Sequence, residues 1–432
     1  MESFEYKGYW YLPNKPDRKI AGILSFKDRE SSTLELIGDL ELYDNPIYAI
    51  SGPETYNVIW GINEEAKKIT LFNCNLVNRH FNLKSDFPIK KFSIQYILVG
   101  QHISSAEDKL FDVCRVEIPI LTKWCFPAVI QQSIQFQDGG HKIDSMGLSI
   151  KCSKLDQAIE SVNIDGLGLK VSLYPQINIS WEYCAPETKQ FTTLVIENDL
   201  KETIWFFIHY VYIFEQFLSF ATLSNVDVSK FTLQNKDTYE EFKNGQKLYD
   251  SVLLYYNRPD INDGIRHREQ FLFKYDSIKD KFPEIIRHWY LETDDIAPIR
   301  SHLIQSIQSK KSFTSIDFLI VFQAIEGYMI RFKYGDKSVK QNLKTLIEEY
   351  NDIRNLNCDK IDVDAVVDSR NYYSHFMNKS KKPRTLDGYE LFCQTCKLKD
   401  LLICCMLSFM GLNHDEINSL MSKSEYSFYT PQ

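Results

Sequence analysis

The sequence predicts an α+β multidomain protein, with an N-terminal β-rich, sandwich-like region, then helices, and a C-terminal four-helix bundle. Three observations predict this fold class. The chain has 432 residues, 44% of them hydrophobic, which is enough for two or three domains with a large core. The spacing of apolar residues changes near residue 199 from a period of two to a period near 3.6. Residues 296–432 keep the helical period.

Residues 1–198 carry the strand signals. Short runs of β-forming residues alternate with Gly, Pro, Asn and Asp, as is typical of antiparallel strands joined by turns. The runs occupy residues 9–12, 22–26, 33–37, 68–72, 92–96, 147–151, 169–173 and 177–181. We predict that they form a sandwich or strongly curved antiparallel sheets.

Residues 199–295 are predicted to form a mainly helical connecting region. Asn198 and Asp199 can cap a helix that runs to about Leu223, and another helix is predicted for residues 280–291. The segment at 227–278 fits either helix or strand and is left open.

The apolar stretch at residues 203–223 is long enough to span a bilayer. It carries His209, Glu215 and Gln216, each of which is costly at membrane depth. We therefore predict a buried helix of a soluble protein and no membrane contact.

Residues 296–432 are predicted to form the helical bundle. Its four main helices are expected at residues 314–332, 338–350, 362–377 and 387–410, after a shorter helix at 298–308. The joins between the main helices are short, as in bundles whose neighbouring helices pack side by side.

Charge and motifs exclude several classes of protein. A formal net charge of −8 excludes a protein whose whole surface binds nucleic acid, so an RNA site must be a local patch. The sequence has no phosphate-binding loop, dinucleotide-binding glycine motif, zincin helix or hydrolase nucleophile elbow. The first residues form no apolar signal segment, so we expect a cytoplasmic protein.

The ten cysteines predict reduced, mostly buried thiols. Cys393 and Cys396 have the spacing of a zinc half-site, but the segment around them reads as continuous helix. We interpret them as small core residues, and we expect neither a metal nor a cofactor.

The segment from Arg370 to His375 is the candidate active site. On a helix, Asn371 and His375 are four residues apart and share a face, and the long Arg370 side chain can bend across to them. The helix then offers a charged phosphate ligand, an amide, and an imidazole that can exchange protons near neutral pH. These groups suffice for metal-free cleavage of RNA.

In this hypothesis His375 takes the proton of the ribose 2′-hydroxyl, or protonates the departing 5′-oxygen. Arg370 holds the scissile phosphate and offsets the charge that builds on its oxygens. DNA lacks the 2′-hydroxyl and should remain intact. Because the reaction needs both an acid and a base, we expect a homodimer that brings two copies of Arg370 and His375 into one cleft.

A basic run follows the candidate site. Lys379, Lys381, Lys382 and Arg384 lie within six residues, and no carboxylate follows until Asp387. We predict that these cations contact the RNA backbone. The alternative is a solvated loop, and for Arg370 to His375 the alternative is a polar network between helices.

The motif Arg370-Asn371-x-x-x-His375 resembles that of HEPN ribonucleases. The N-terminal half is similar to the region that accompanies Apea-type HEPN domains in antiphage proteins. This likeness rests on Phe4-x3-Gly8-x-Trp10-x-Leu12-Pro13, Gly22-x-Leu24-x-Phe26, residues 69–72, Gly100-x-His102, Asp108-x2-Phe111 and Trp124.

The resemblance implies a homodimeric, metal-independent endoribonuclease that acts in abortive infection, with tRNA as a frequent substrate of such enzymes. It implies that Arg370 and His375 are catalytic and that Asn371 supports them. An acidic or polar residue on an earlier helix often orients the arginine. Glu326 is our choice, and Gln323 and Asp317 are alternatives.

The N-terminal half is interpreted as a sensor of a phage-derived trigger or as an inhibitory module. The main alternative is a non-catalytic HEPN protein that dimerises and binds a phage protein through its β region. A third class is a saccharide-binding β module with a helical oligomerisation tail.

Overall fold

The computed structural model describes residues 1–41, 54–80, 88–125, 130–136, 143–150, 157–180, 187–243, 245, 247–257, 271–291, 293–308, 314–333, 338–353 and 360–423. A β-rich part that extends to residue 256 comes first, and helices follow it. The predicted fold class is confirmed in this order of elements. Lys151 and Trp181, at the ends of two predicted strands, lie outside the described residues.

Six antiparallel strands close into a barrel. They are β1 (Phe4–Tyr11), β2 (Ile20–Phe26), β3 (Ser32–Ile37), β4 (Thr55–Asn63), β5 (Lys68–His80) and β6 (Ile89–Val99). Their order is β6-β3-β2-β1-β4-β5, and β5 pairs back with β6. The strong curvature predicted from the sequence therefore closes these six strands into a barrel, in which no strand has a free edge.

Alternate residues of these strands fill the barrel. Leu24, Phe26 and Phe92 are fully buried around the Trp10 indole. Gly61 is required beside this indole because a Cβ at position 61 would overlap the ring. The period of two in the sequence thus separates an apolar interior from a polar outer surface.

Strand β6 joins the barrel to six further strands. Its residues 89–94 pair with β3, and its residues 96–99 pair with β14. From there the sheet runs β14-β13-β7-β12-β11-β10. The bounds are β7 (Phe111–Glu117), β10 (Glu160–Ile164), β11 (Leu169–Ser180), β12 (Glu187–Glu202), β13 (Lys230–Glu241) and β14 (Lys247–Tyr256). A separate hairpin consists of β8 (Ile130–Phe136) and β9 (Ile143–Ile150).

The helices follow, apart from two that interrupt the strands. They are α1 (Pro119–Cys125), α2 (Ile204–Thr222), α3 (Tyr275–Ile278), α4 (Phe282–Leu291), α5 (Thr293–Gln308), α6 (Ser315–Tyr328), α7 (Val339–Glu349), α8 (Val363–His375), α9 (Gly388–Phe409) and α10 (His414–Lys423). A π-helical turn, Met329–Lys333, extends α6. The four predicted bundle helices correspond to α6 through α9.

The predicted helix cap at Asn198 and Asp199 is wrong. Strand β12 continues through both residues, and its Glu202 still pairs with Phe111 of β7. Helix α2 begins after Thr203, whose side-chain oxygen accepts a hydrogen bond from the Phe206 amide at 3.2 Å. Pairing with a neighbouring strand overrides the local preference of Asn and Asp for a cap.

The open segment at 227–278 contains strands β13 and β14. The connecting region is therefore mixed, because this hairpin completes the sheet between β7 and β6. The spacing of apolar residues does not distinguish helix from strand in this segment, because the outer half of the hairpin is exposed on both faces.

Helix α2 is long and apolar enough to cross a membrane, but 67% of that window is buried inside the protein. The Trp289 indole of α4 donates to the carbonyl of Ile213 at 2.9 Å, and Gln308 of α5 donates to Ser219 Oγ at 3.1 Å. The prediction of a buried helix is confirmed. Residues of α2 belong to one continuous core that extends from the sheet to the C-terminal helices.

Candidate active site

Helix α8 is fixed at both ends. The Asp362 carboxylate caps its start by accepting from the Ala365 amide at 3.0 Å. In the middle of the helix, Ser369 is fully buried, and its Oγ accepts from the Leu386 amide at 2.8 Å. The Tyr373 hydroxyl donates to the Leu386 carbonyl at 2.9 Å. These two side chains hold the segment after α8 against the helix. In the sequence, the only sign of their role is that both are polar residues close to Arg370.

Arg370 is the centre of the site. Its Nη1 donates to Asn371 Oδ1 at 3.1 Å and contacts His375 Nε2 at 2.9 Å. Its Nη2 lies 3.1 Å from both carboxylate oxygens of Glu326 on α6. The structure therefore brings together all four residues that the sequence assigned to catalysis. The Nε–H of Arg370 has no partner among the described residues, which leaves one donor for a ligand.

Glu326 is distinguished from the alternatives by its position. Its side chain is 17% exposed and that of Arg370 is 23% exposed, so the ion pair is partly shielded from water. Gln323 is exposed, and Asp317 is buried where it pairs with Lys399 at 2.9 Å. Only Glu326 of these three contacts Arg370 within the described part of the chain.

His375 is the exposed member of the group. A guanidinium can only donate hydrogen bonds, so Nε2 of His375 is the acceptor in the contact with Arg370. This contact requires the imidazole tautomer that carries its proton on Nδ1. An exposed, neutral imidazole beside a guanidinium can accept a proton from a hydroxyl whose phosphate the guanidinium holds.

The basic run lies beside α8, but most of its cations are paired. Lys379 pairs with Asp387 at 3.1 Å, and Lys382 pairs with Asp368 at 3.2 Å. Arg384 pairs with Asp364 at 3.0 Å.

The predicted RNA contacts of these cations remain a prediction. A hydrogen bond from Lys340, together with the charges of Lys340 and Arg384, holds the pKa of Asp364 below its ordinary value. In the described ranges Lys381 is the one cation of the run without an ion pair.

Three cysteines of α9, Cys396, Cys404 and Cys405, are buried, whereas Cys393 is half-buried. Cys396 is buried, and its burial raises the pKa of the thiol to about 12. Within the described residues no group of three or more His, Cys, Asp or Glu side chains is placed to hold a metal ion.

Models of known protein families match most of the chain. The family model described as ApeA N-terminal domain 1 matches residues 5–289, and the model described as Apea-like HEPN matches residues 319–416. The second range contains Glu326, Arg370 and His375. The first range crosses the predicted boundary at 198/199 and ends in α4. Neither the curated proteins nor the solved structures gave a match.

Proposed function

The chain belongs to the family of the ApeA N-terminal domain 1, with an Apea-like HEPN domain after it, and from this premise we propose that it is a metal-independent endoribonuclease. An HEPN domain of the ApeA type suggests an antiphage effector of the HEPN superfamily. The proposed role is abortive infection, in which the enzyme cuts RNA in the cytoplasm, with tRNA as one candidate substrate.

The observation that best supports this proposal is the set of contacts around Arg370. One guanidinium bonds the Glu326 carboxylate, the Asn371 amide and the His375 imidazole, and its Nε–H has no partner in the described ranges. A guanidinium oriented by a carboxylate is a preorganised donor for a phosphate, and it needs little rearrangement during reaction.

The proposed reaction uses the side chains of Arg370 and His375. The 2′-oxygen attacks the adjacent phosphorus, and His375 takes the 2′-hydroxyl proton through Nε2 after the Arg370 N–H turns from that nitrogen to the phosphate. The bond to the 5′-oxygen breaks, and that oxygen takes a proton from the imidazolium of His375 in the second copy. The products are a 2′,3′-cyclic phosphate and a free 5′-hydroxyl. Arg370 stabilises the added charge on the phosphate oxygens.

We propose that the active form of the protein is a homodimer. Each chain supplies one His375, but the reaction uses a base at the 2′-oxygen and an acid at the 5′-oxygen. Two-fold packing of α8 against its copy provides both. The β region is proposed to detect a phage-derived trigger that switches this dimer on.

The cations Lys379, Lys381, Lys382 and Arg384 are proposed to bind the RNA backbone. The ion pairs of Lys379 and Arg384 are exposed and contribute little to stability, so phosphates can replace Asp387 and Asp364 as their partners. The Lys382–Asp368 pair is half-buried.

The test follows RNA cleavage in infected cells and with the purified chain in EDTA. Cells that express the chain are infected, and 2′,3′-cyclic phosphate ends are mapped. We expect new ends with the unaltered chain and none with Arg370→Ala or His375→Ala. His414→Ala is the matched control, since His414 is bonded to Asp352 outside the site. Equal cleavage by all four chains would remove the proposal.

The second candidate is a non-catalytic HEPN protein that dimerises and binds a phage protein. It is favoured by the pairing of Arg370 and of most of the basic run within the chain. In that case Arg370→Ala and His375→Ala keep full protection against phage and leave RNA intact.

A further inference from the structure

Phe376 has an unusual position directly after His375. Its side chain is 91% exposed, which makes it the most exposed large apolar residue in the described part of the chain. Its backbone is left-handed, with φ of 50° and ψ of 39°, at the end of α8. Glycine and asparagine commonly end helices in this way, whereas a bulky side chain in this region is strained.

Leu223 provides a comparison within the same protein. It ends α2 in the same left-handed conformation, with φ of 47°. The Leu223 side chain is fully buried in the shared core, so packing stabilises the strained backbone there. Phe376 has the strain without the packing. A strained residue that projects a large ring into solvent beside a candidate active site indicates a binding role.

The surroundings of Phe376 favour nucleic acid as the partner. Residues 376–387 contain Lys379, Lys381, Lys382 and Arg384 and one carboxylate, Asp387. Asp368 and Asp364 of α8 pair with Lys382 and Arg384, so these four cations face three carboxylates and retain one positive charge in excess. Lysine is depleted from the centres of protein–protein interfaces, whereas an aromatic ring among cations is typical of sites that bind single-stranded RNA.

We propose that the Phe376 ring stacks on an unpaired base next to the phosphate held by Arg370, an inference that rests on the proposed function. Phe376 and His375 are consecutive, with Cα atoms about 3.8 Å apart, so a base on the ring and a phosphate at Arg370 can belong to neighbouring nucleotides. Stacking at this site selects single-stranded loops and ends over duplex RNA, because a base must leave its helix to reach the ring. Phe376 is thus a binding residue for the substrate.

The test measures binding of a fluorescent single-stranded RNA in EDTA, in a His375→Ala background that cannot cleave it. We expect Phe376→Ala to weaken binding roughly 5- to 150-fold, the range measured for stacked bases. Phe376→Trp keeps a flat ring and should retain affinity. Phe376→Leu keeps an apolar side chain without a ring and should bind as weakly as Phe376→Ala. Tyr9→Ala, which removes an exposed ring from β1, is the control.

Phe376→Asn tests the backbone separately, because asparagine adopts the left-handed conformation readily. It should bind as weakly as Phe376→Ala and melt at the same temperature as the parent chain or higher. In the cleaving chain, Phe376→Ala should raise KM more than it lowers kcat.

The outcomes separate this inference from the proposed function. If Phe376→Ala binds RNA as the parent does while Arg370→Ala abolishes cleavage, stacking is wrong and the nuclease stands. If Phe376→Ala and Phe376→Leu convert a dimer to a monomer by light scattering, the ring is a contact between copies and the inference fails. If no form of the chain binds or cleaves RNA, both proposals fail.

Discussion

At the scale of single residues, Arg370 contacts the three other residues assigned to catalysis, Glu326, Asn371 and His375. Its contacts explain why lysine could not replace it, since an ammonium lacks the planar fork that reaches Glu326 and His375 together. The spacing of Arg370 and His375 on one helix could be predicted from the sequence. The choice of Glu326 over Gln323 and Asp317 could not be settled there, because it depends on how α6 packs against α8.

Glu326→Gln tests the positioning of Arg370. The amide removes the negative charge and turns an N–H donor toward a guanidinium that can only donate. We expect RNA cleavage to fall roughly 10- to 100-fold, mainly in kcat, because phosphate charge is stabilised less well. Steady-state kinetics on a short RNA give both constants. Gln323→Ala, an exposed change one turn earlier, should leave them unaltered, and unaltered kinetics for Glu326→Gln would contradict the assigned role.

Asp400 predicts a dependence of stability on pH. Burial raises the pKa of this carboxyl from 3.8 to about 7, against a lowering by the charge of Lys399. The folded chain therefore binds this proton more tightly than the unfolded chain, and stability falls as pH rises from about 4 through about 7. Asp400→Asn should stabilise the protein by about 1.4 kcal/mol more near pH 8.5 than near pH 6, as measured by urea unfolding. The same gain at both pH values would show that the carboxyl is not perturbed.

At the scale of elements, long-range pairing decides what local sequence leaves open. The capping residues at 198 and 199 lie within β12 because β7 continues to pair with it. The hairpin β13–β14 has few buried residues in its outer half, so its period gave no clear signal. The bundle helices were predictable because each carries an apolar face and a recognisable start, such as the capping box of Ser338 and Gln341.

Lys399→Met tests the buried contact between α6 and α9. Lys399 and Asp317 form an ion pair at 2.9 Å with side chains only 6% and 3% exposed. Ser306 of α5 donates to the same carboxylate at 2.6 Å. Removal of the lysine leaves a buried charge and should cost about 3–5 kcal/mol of unfolding free energy in chemical denaturation. The double variant Asp317→Asn, Lys399→Met should recover much of this loss, and an equal loss in both would contradict the explanation.

At the scale of the whole molecule, the two matched families do not correspond to two separate cores. The barrel has its own apolar interior, whereas the second sheet, α2 and the HEPN helices share one. Arg300 of α5 lies over the Trp289 ring at 4.9 Å and donates to the Trp289 carbonyl at 2.9 Å. The order of the parts could be predicted from the sequence but this shared core could not, because apolar periodicity does not identify the partner of each face.

Trp289→Ala tests the shared core. We expect a loss of about 3–5 kcal/mol, and faster hydrogen exchange in β12 and α6 alike, because both belong to the core that Trp289 fills. Leu24→Ala in the barrel should accelerate exchange in β1 to β6 only. Unchanged exchange in α6 after Trp289→Ala would show that the HEPN helices are stable without the sheet.

Strand β6 limits how such a protein can be rearranged during evolution. Its first half closes the barrel against β3, and its second half pairs with Leu253 to Tyr256 of β14. Recombination at one junction before β7 cannot exchange the barrel for an unrelated module, because the incoming module would need a strand that fits β14. We therefore expect adaptation to new triggers, of the kind proposed for the β region, to occur through substitutions on the outer barrel surface. The pairing of residues 96–99 should be retained.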